Sequence, residues 1–302
     1  MNNIAALAAC DLSKSYNGRT AVDDVSLTLS AGSVTAFLGA NGAGKTTALR
    51  LMLGLLKPDT GHTLYGGRPL HAWRDPARVV GAVMGGVAGH PKHTLRDHLR
   101  MVAAGAGADD EMVGAALERV GLTAAAGQRL GKLSLGMGQR AGIAQALIGD
   151  PAVLVLDEPV NGLDPHSIHW LRTLLRQLAD DGKAVLIATH LLAEVEQLAD
   201  QVTVLAQGRV VAQTTAAELG DRATGHVVVQ GPDLDRLLPL VRRHDAVLEP
   251  TGPGSARVSG IDRFRIGDYA AEQGIPLHWL EERRPSLEEF YLSVAQQEFA
   301  AR

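Results

Sequence analysis

A glycine-rich motif that ends in Lys45-Thr46 constrains this chain more than any other feature. Residues 39–46 read G-A-N-G-A-G-K-T and fit the pattern G-x-x-x-x-G-K-[ST], in which backbone N–H groups surround a phosphate. An apolar run at residues 34–38 precedes the motif, and helical periodicity follows from residue 45 to about residue 55. This context predicts a strand, a phosphate-binding turn and a helix whose positive N-terminal end faces the same phosphate.

The motif predicts a nucleotide such as ATP as the ligand. Lys45 is expected to reach the β- and γ-phosphates, and the Thr46 hydroxyl to bind Mg²⁺. The residues predicted to bind ATP in this segment are Gly39, Ala40, Asn41, Gly42, Ala43, Gly44, Lys45, Thr46 and Thr47. Because kinases, GTPases and motor proteins share this turn, the motif alone does not select a reaction.

Composition excludes several other classes of protein. The net charge of −4 gives no overall basic field, so nucleic acid is not expected as a partner. Cys10 is the only cysteine, which fits a reducing cytosolic setting. The longest apolar runs are strand-sized and far shorter than the ~20 residues of a membrane helix, and we expect no signal peptide. At a membrane, another chain would have to supply the spanning segments.

Hydrophobic patterning predicts an α/β fold with a mainly parallel sheet. Residues 153–156 and 184–188 are continuous apolar runs, which suit strands that are covered on both faces. Alternating apolar and polar residues over 1–30 predict antiparallel strands with a turn at Asn17-Gly18. The same patterning predicts more strand over 62–85, mostly helix over 95–149, a helix over 166–179 and a hairpin around Gly208.

The pattern changes near residue 215, and residues 220–225 are predicted to form a linker. We therefore expect a large domain over 1–220 and a small α+β domain over 221–302. Short strands and helices are predicted to alternate in the second domain, at 227–230, 234–244, 256–259, 263–273 and 276–280. A last helix is predicted over 286–295, because Ser286 and Glu289 have the spacing of a capping box.

Two acidic residues end the predicted strand at 153–156. Asp157 is placed to hold Mg²⁺ opposite Thr46, and Glu158 is placed to polarise an attacking water. Acidic residues are common at the ends of such strands, so this pair does not by itself establish catalysis.

Residues 133–140, L-S-L-G-M-G-Q-R, put a small hydroxyl and exposed N–H groups at a predicted helix N-terminus, which makes a second anion site. With this motif between the phosphate turn and Asp157-Glu158, the chain resembles the nucleotide-binding domain of ABC ATPases over about residues 4–215. In that family this segment is a signature that acts on ATP bound by another subunit. The resemblance assigns that role to Ser134, Leu135, Gly136, Met137 and Gly138.

Further residues follow the order of motifs in this family. His190 ends an apolar strand and resembles the switch histidine that contacts the γ-phosphate, and Tyr16 resembles the aromatic residue that stacks on adenine. Residues 87–150 correspond to the family's helical subdomain. The D-loop, which crosses the dimer seam in this family, corresponds to Asn161, Gly162, Leu163 and Asp164.

One position departs from the family pattern. ABC ATPases usually carry a glutamine at the end of the strand after the phosphate-turn helix, and here the position falls on Gly85. Glycine has no side chain that could bind a metal or a water. Two interpretations follow: either water or a neighbouring group fills the role and turnover is slower, or ATP mainly drives closure and hydrolysis is weak. The presence of Glu158 and His190 favours the first.

The resemblance also implies how the chain would work. Two copies would bury two ATP molecules between them, and closure would pass through the Gly85 region to a multi-span permease at the inner face of the cell membrane. The sequence is most similar to that of exporters of drug, antibiotic and bacteriocin-resistance type at residues 39–42, 139–144 and 189–196. The alternatives are an ABC ATPase without a transporter, a nucleotide-gated interaction module, and import instead of export. A single set of motifs without sustained heptads favours transport.

Two groups of histidines raise the question of a further metal site. His90, His93 and His98 lie in one segment, and His166 and His169 are three residues apart on a predicted helix. Neither group has cysteines or carboxylates at zinc spacing, so we expect these side chains to lie at the solvated surface.

Overall fold

The computed structural model describes residues 6–192, 197–215 and 226–283. The chain divides into two compact units, Met1–Thr214 and Thr215–Arg302. The linker predicted over 220–225 and the helix predicted over 286–295 lie outside the described residues.

The first unit contains strands and helices in alternation. Its strands are β1 (Leu7–Tyr16), β2 (Arg19–Leu29), β3 (Val34–Leu38), β4 (Thr60–Tyr65), β5 (Val80–Met84), β6 (Val153–Asp157), β7 (Ala184–Thr189), β8 (Gln201–Ala206) and β9 (Arg209–Thr215). Its fully described α-helices are α1 (Lys45–Met52), α2 (Leu95–Gly105), α3 (Asp110–Arg119), α4 (Leu135–Leu147) and α5 (Pro165–Asp180).

The strands described in the first unit form two sheets. A six-stranded sheet has the order β5-β6-β7-β3-β8-β9, and its strands from β5 to β8 run parallel. Every residue of β3 and β7 is buried, as their continuous apolar runs predict. A three-stranded sheet has the order β2-β1-β4 and is antiparallel. The predictions of a parallel core, of antiparallel strands near the N-terminus and of a hairpin at Gly208 are therefore confirmed.

Two predicted elements in this unit have other limits. Residues 62–85 form the end of β4 and the whole of β5, with short 3₁₀ turns at Leu70–Ala72 and Pro76–Arg78 between them. The prediction of more strand over the whole stretch is wrong, because proline removes a donor that a strand needs. α1 ends at Met52 rather than near residue 55, and Gly54 leaves the helix with a φ of 69°.

Helices α2, α3 and α4 pack on one another, and their apolar core continues into the parallel sheet. Leu99, Leu117 and Ile143 come from the three helices and are at most 1% exposed in the same apolar core as Leu154 of β6. Thr94 and Asp109 cap the N-termini of α2 and α3 through their side chains.

Over residues 226–283, the second unit is a four-stranded antiparallel sheet with two α-helices. In chain order it contains β10 (His226–Gln230), α6 (Leu238–Arg243), β11 (Val247–Gly252), β12 (Ser255–Ser259), α7 (Arg263–Glu272) and β13 (Trp279–Arg283). The strand order β11-β12-β10-β13 with this β-α-β-β-α-β succession is the ferredoxin-like arrangement.

Sequence patterning missed one strand of this sheet and set the wrong limits for another. β11 was not predicted, because Pro250 and Gly252 argue against a strand; it lies at the sheet edge, where proline is tolerated. The last strand was predicted over 276–280 but begins at Trp279, since its pairing with β10 sets Trp279 opposite Gln230.

Candidate functional site

The phosphate turn joins β3 to α1, and its conformation requires glycine. Gly42 and Gly44 have φ angles of 81° and 105°, a region that L side chains rarely adopt. A Cβ on Gly44 would also overlap the carbonyl oxygen of Ala21. The N–H groups in the first turn of α1 have no intrahelical acceptor, and the N-cap residue Gly44 has no side chain that could accept from them. The segment thus offers backbone donors to an anion, and its residues are Gly39, Ala40, Asn41, Gly42, Ala43, Gly44, Lys45, Thr46 and Thr47.

Lys45 places a buried positive charge inside this turn. Its side chain is 5% exposed, and its Nζ donates to the carbonyl oxygens of Gly39 at 2.6 Å and Ala40 at 3.2 Å. The same Nζ lies 3.3 Å from Glu158 Oε1. Since a buried ammonium strongly favours an anionic partner, the turn is suited to a phosphate group.

Thr46 and Asp157 meet across the same space. The Thr46 hydroxyl donates to Asp157 Oδ2 at 2.8 Å. The other oxygen, Oδ1, is buried and has no hydrogen-bond partner. Burial raises the pKa of the Asp157 carboxyl, the hydrogen bond from Thr46 opposes that shift, and repulsion by Glu158 adds to it. An orphaned carboxylate oxygen beside a hydroxyl is the donor set that a magnesium ion prefers.

Glu158 connects the turn to His190. Its Oε2 lies 2.9 Å from His190 Nδ1, while its Oε1 pairs with Lys45. Its backbone has a φ of 49°, which costs a non-glycine residue about 1–2 kcal/mol. Its N–H donates to the carbonyl oxygen of Ala188 at 2.9 Å. The carboxylate is therefore held between two basic side chains by a strained backbone, as often occurs at functional sites.

Sheet order explains why these residues meet. Strands β6, β7 and β3 are neighbours and parallel, so their carboxyl ends lie at one edge of the sheet. The phosphate turn follows β3, the acidic pair ends β6, and His190 follows β7. Ligands of open parallel sheets bind outside this edge.

The signature segment and the D-loop each begin a helix. Ser134 caps α4, and its Oγ accepts from the Met137 N–H at 3.2 Å. Asp164 caps α5, and its Oδ1 accepts from the Ser167 N–H at 2.8 Å. Both caps agree with the predicted helix starts. The remaining predicted residues of the two segments are Leu135, Gly136 and Gly138 at the start of α4 and Asn161, Gly162 and Leu163 before α5.

Tyr16 ends β1 with 44% of its surface exposed. Lys14 Nζ lies 5.8 Å from the centre of its ring and also pairs with Asp59 at 2.7 Å. The ring is therefore accessible for stacking and is not a core tyrosine.

Gly85 directly follows the residue that pairs with Asp157. Met84 of β5 is the partner of Asp157 in β6, so Gly85 lies at the same sheet edge as the acidic pair. Gly85 and Gly86 have φ angles of 95° and 84°. The loop therefore contributes backbone in a conformation that glycine favours, and no side chain.

Gln139 was not among the predicted site residues, although it lies beside this loop. It is 7% exposed, and its Oε1 is buried without a hydrogen-bond partner. The neighbouring Gly138 accepts a hydrogen bond from the Val87 N–H at 3.1 Å, and a Cβ on Gly142 would lie 2.7 Å from the carbonyl carbon of Gly86. Helix α4 is thus packed directly on the glycine loop. Sequence patterning did not identify Gln139, because the burial of its side chain is not visible in the local pattern.

The two groups of histidines differ in their exposure. Among the described residues, no group of three or more histidine, cysteine or acidic side chains is arranged to hold a metal ion. His90, His166 and His169 are exposed, as predicted. The prediction is wrong for His98, which is 7% exposed and whose Nε2 lies 2.8 Å from Gln145 Oε1, because α2 turns this side chain towards α4.

Comparison with known proteins decides the family. The chain is 32% identical over 291 residues to the bacitracin transport ATP-binding protein BcrA of Bacillus licheniformis, covering 94% of this chain and 95% of that protein. It belongs to the ABC transporter ATP-binding proteins. The ABC transporter family also matches residues 22–161, and a domain of unknown function (DUF8746) matches residues 225–288. An ATP-binding subunit of this family binds and hydrolyses ATP.

Two further similarities agree with this assignment. The chain is 36% identical over 259 residues to the Nod factor export ATP-binding protein I of Bradyrhizobium diazoefficiens, covering 83% of this chain and 84% of that protein. A solved ATP-binding subunit of an ABC transporter superposes with a TM-score of 0.66 and 28% identity, covering 72% of this chain and 92% of that one. Within the described part of this ABC subunit, no helix has the length and apolarity required to cross a bilayer.

Proposed function

We propose that this ABC subunit hydrolyses ATP to drive a multi-span membrane partner in the export of a small molecule or peptide. The observation that carries the hydrolytic role is the continuous contact from Lys45 through Glu158 to His190 at one sheet edge. Export is supported by the names of two relatives, which refer to bacitracin transport and Nod factor export. The subunit would work at the inner face of the cell membrane through this partner.

The phosphates of ATP would lie against the turn over residues 39–47. The ammonium of Lys45 and the free N–H groups of the first turn of α1 would neutralise the charge of the β- and γ-phosphates. The Thr46 hydroxyl and the unpaired Asp157 Oδ1 would hold Mg²⁺. The bound ion would supply charge neutralisation at the phosphate oxygens.

Glu158 is the proposed general base. In hydrolysis, water adds to the γ-phosphorus, the bond between this phosphorus and the bridging oxygen breaks, and the carboxylate of Glu158 takes a proton of the water. His190 lies against the other carboxylate oxygen at 2.9 Å and would orient Glu158. The preset φ of 49° fixes the direction in which Glu158 leaves β6.

Two copies of the chain would complete each site. The signature segment of one copy would contact ATP held by the other, because the N-terminus of α4 can bind an anion. The residues of this segment are Ser134, Leu135, Gly136, Met137 and Gly138. Asn161, Gly162, Leu163 and Asp164 would lie at the seam, and Tyr16 would stack on the adenine. Removal of the γ-phosphate would weaken the closed arrangement and release the copies.

The experiment that tests hydrolysis compares Glu158→Gln with the wild type in the complex with the membrane partner. We expect measurable but modest wild-type turnover, and none in Glu158→Gln. Glu118→Gln, an exposed change on α3, is the matched control and should keep the wild-type rate. Equal turnover in wild type and Glu158→Gln would instead identify a nucleotide-gated module without significant hydrolysis.

A further inference from the structure

The signature segment and the D-loop of one chain pack on each other through two reciprocal leucine–glycine contacts. The end of the Leu135 side chain occupies the position where a Cβ on Gly162 would be. In the opposite sense, a Cβ on Gly136 would lie 3.6 Å from Leu163 Cδ2. Each segment thus supplies one leucine and accepts one leucine. We call these four residues the Leu–Gly clasp.

The same two helices are joined again one turn further on. Arg140 of α4 donates from its Nη2 to Ser167 Oγ of α5 at 3.0 Å. Its guanidinium carbon also lies 4.4 Å from the centre of the Trp170 ring. The hydroxyl of Ser167 in turn donates to Asp164 Oδ2, the cap of α5, at 3.2 Å. The starts of α4 and α5 are therefore held in register by apolar and polar contacts together.

The clasp makes little contribution to the buried core. Leu135 is 67% exposed, so its contact with Gly162 hides only part of its surface. Gly162 has a φ of 76°, which favours glycine, and its Cα leaves the space that Leu135 enters. An added methyl group at Gly162 would meet the mobile end of an exposed side chain, so Leu135 would be displaced without disruption of the core.

We propose that Leu135 and Gly162 are positioning residues that hold the signature serine and the D-loop as one surface towards the second copy. The proposal rests on the two-copy arrangement proposed above. Ser134 immediately precedes Leu135 and Gly162 lies four residues after Glu158, so the clasp fixes the segment that acts on the partner's ATP relative to the chain's own carboxylate. Preset geometry of this kind raises the rate without changing ground-state nucleotide binding.

The first experiment compares Gly162→Ala with Gly182→Ala in the full-length chain. Gly182 has a φ of 89° and no atom within 4 Å of an added Cβ, so this control carries the backbone strain without the collision. We expect Gly162→Ala to lower the maximal ATP turnover by about tenfold, and Gly182→Ala to stay within about twofold of wild type. Binding of a fluorescent ATP analogue to the dilute chain should be the same in both. Equal turnover in the two variants, or a matching loss of analogue affinity, overturns the proposal.

The second experiment asks whether the two residues act together. Leu135→Ala should lower turnover to a similar extent, and the double variant Leu135→Ala/Gly162→Ala should be no slower than the slower single variant, because the collision is gone. Effects that multiply in the double variant would show independent roles and overturn the clasp.

Ser134→Ala separates this proposal from the one on which it rests. Unchanged turnover in Ser134→Ala would remove the two-copy site, and the proposed role of the clasp with it. Lost turnover in Ser134→Ala together with full turnover in Gly162→Ala would leave the two-copy site standing and reject the clasp alone.

Discussion

Two neighbouring strands, β6 and β5, end at the same edge of the sheet and supply opposite kinds of group. β6 ends in Asp157 and is followed by Glu158, whose side chains contact Thr46, Lys45 and His190. β5 is followed by Gly85 and Gly86, which supply only backbone at positive φ. The side chains proposed to act on ATP therefore lie at the ends of β3, β6 and β7, while the β5 loop contributes its backbone conformation and its contact with α4.

Removal of the charge in the phosphate turn should give the largest effect. Lys45→Ala would remove the buried ammonium and leave Glu158 with His190 alone, so we expect complete loss of turnover and of the rise in Tm that ATP causes. A scan of Tm against ATP concentration checks this. Lys57→Ala, an exposed change near the end of α1, is the control and should respond to ATP as wild type does.

The partner of Glu158 should give the next largest effect. We expect His190→Ala to lower maximal turnover by roughly 10–100-fold, because the carboxylate loses the group that orients it. His190→Gln can still donate to Glu158 and should recover part of this loss. His169→Ala, at an exposed position of α5, is the control. Steady-state kinetics that show His190→Gln no faster than His190→Ala would exclude the orienting role.

Asp157 should show a trade between stability and function. Its pKa is raised in the folded state, so its ionised form opposes folding, and stability increases as the pH falls through that pKa. At neutral pH, Asp157→Asn should therefore raise Tm, and this gain should shrink on acidification. Addition of magnesium to ATP should raise the Tm of wild type but not of the variant. Asp181→Asn is exposed and should match wild type; a variant that still responds to magnesium would place the ion elsewhere.

Restoration of the missing glutamine should give the smallest effect on rate. Gly85→Gln places the usual family side chain on a backbone with a φ of 95°, so we expect turnover within about twofold of wild type and a loss of about 1 kcal/mol in stability. Gly85→Asn should lose less stability, because asparagine tolerates positive φ better. Denaturant unfolding and turnover check both. A tenfold gain in rate with Gly85→Gln would mean that the β5 loop limits chemistry and that the two strand ends are less different than proposed.

Motif spacing predicted the site residues that share one sheet edge, because each predicted strand ends at the residue where the motif begins. It did not predict the φ of 49° at Glu158. Nor did it predict the contact between Glu158 and Lys45, since that contact depends on the strand order β6-β7-β3. The burial of His98 was missed for a similar reason, as the position of α4 beside α2 is not visible in the local pattern.

In the second unit, patterning gave the alternation of strands and helices but not the sheet. β11 contains Pro250 and Gly252, and only its place at the edge makes it a strand. The register of β13 was set by β10 and not by its own residues. Local propensity is weak for such short strands, so their pairing decides them.

The sequence by itself determined that this chain is an α/β nucleotide-binding subunit of the ABC type, because the phosphate turn, the acidic pair and the signature segment each depend on residue types at fixed spacing. Tertiary structure alone decided which side chains of distant segments touch. The contacts from Lys45 through Glu158 to His190, and the contact of Leu135 with Gly162, join residues far apart in the chain. Such contacts follow from strand order and helix packing, which no local pattern encodes.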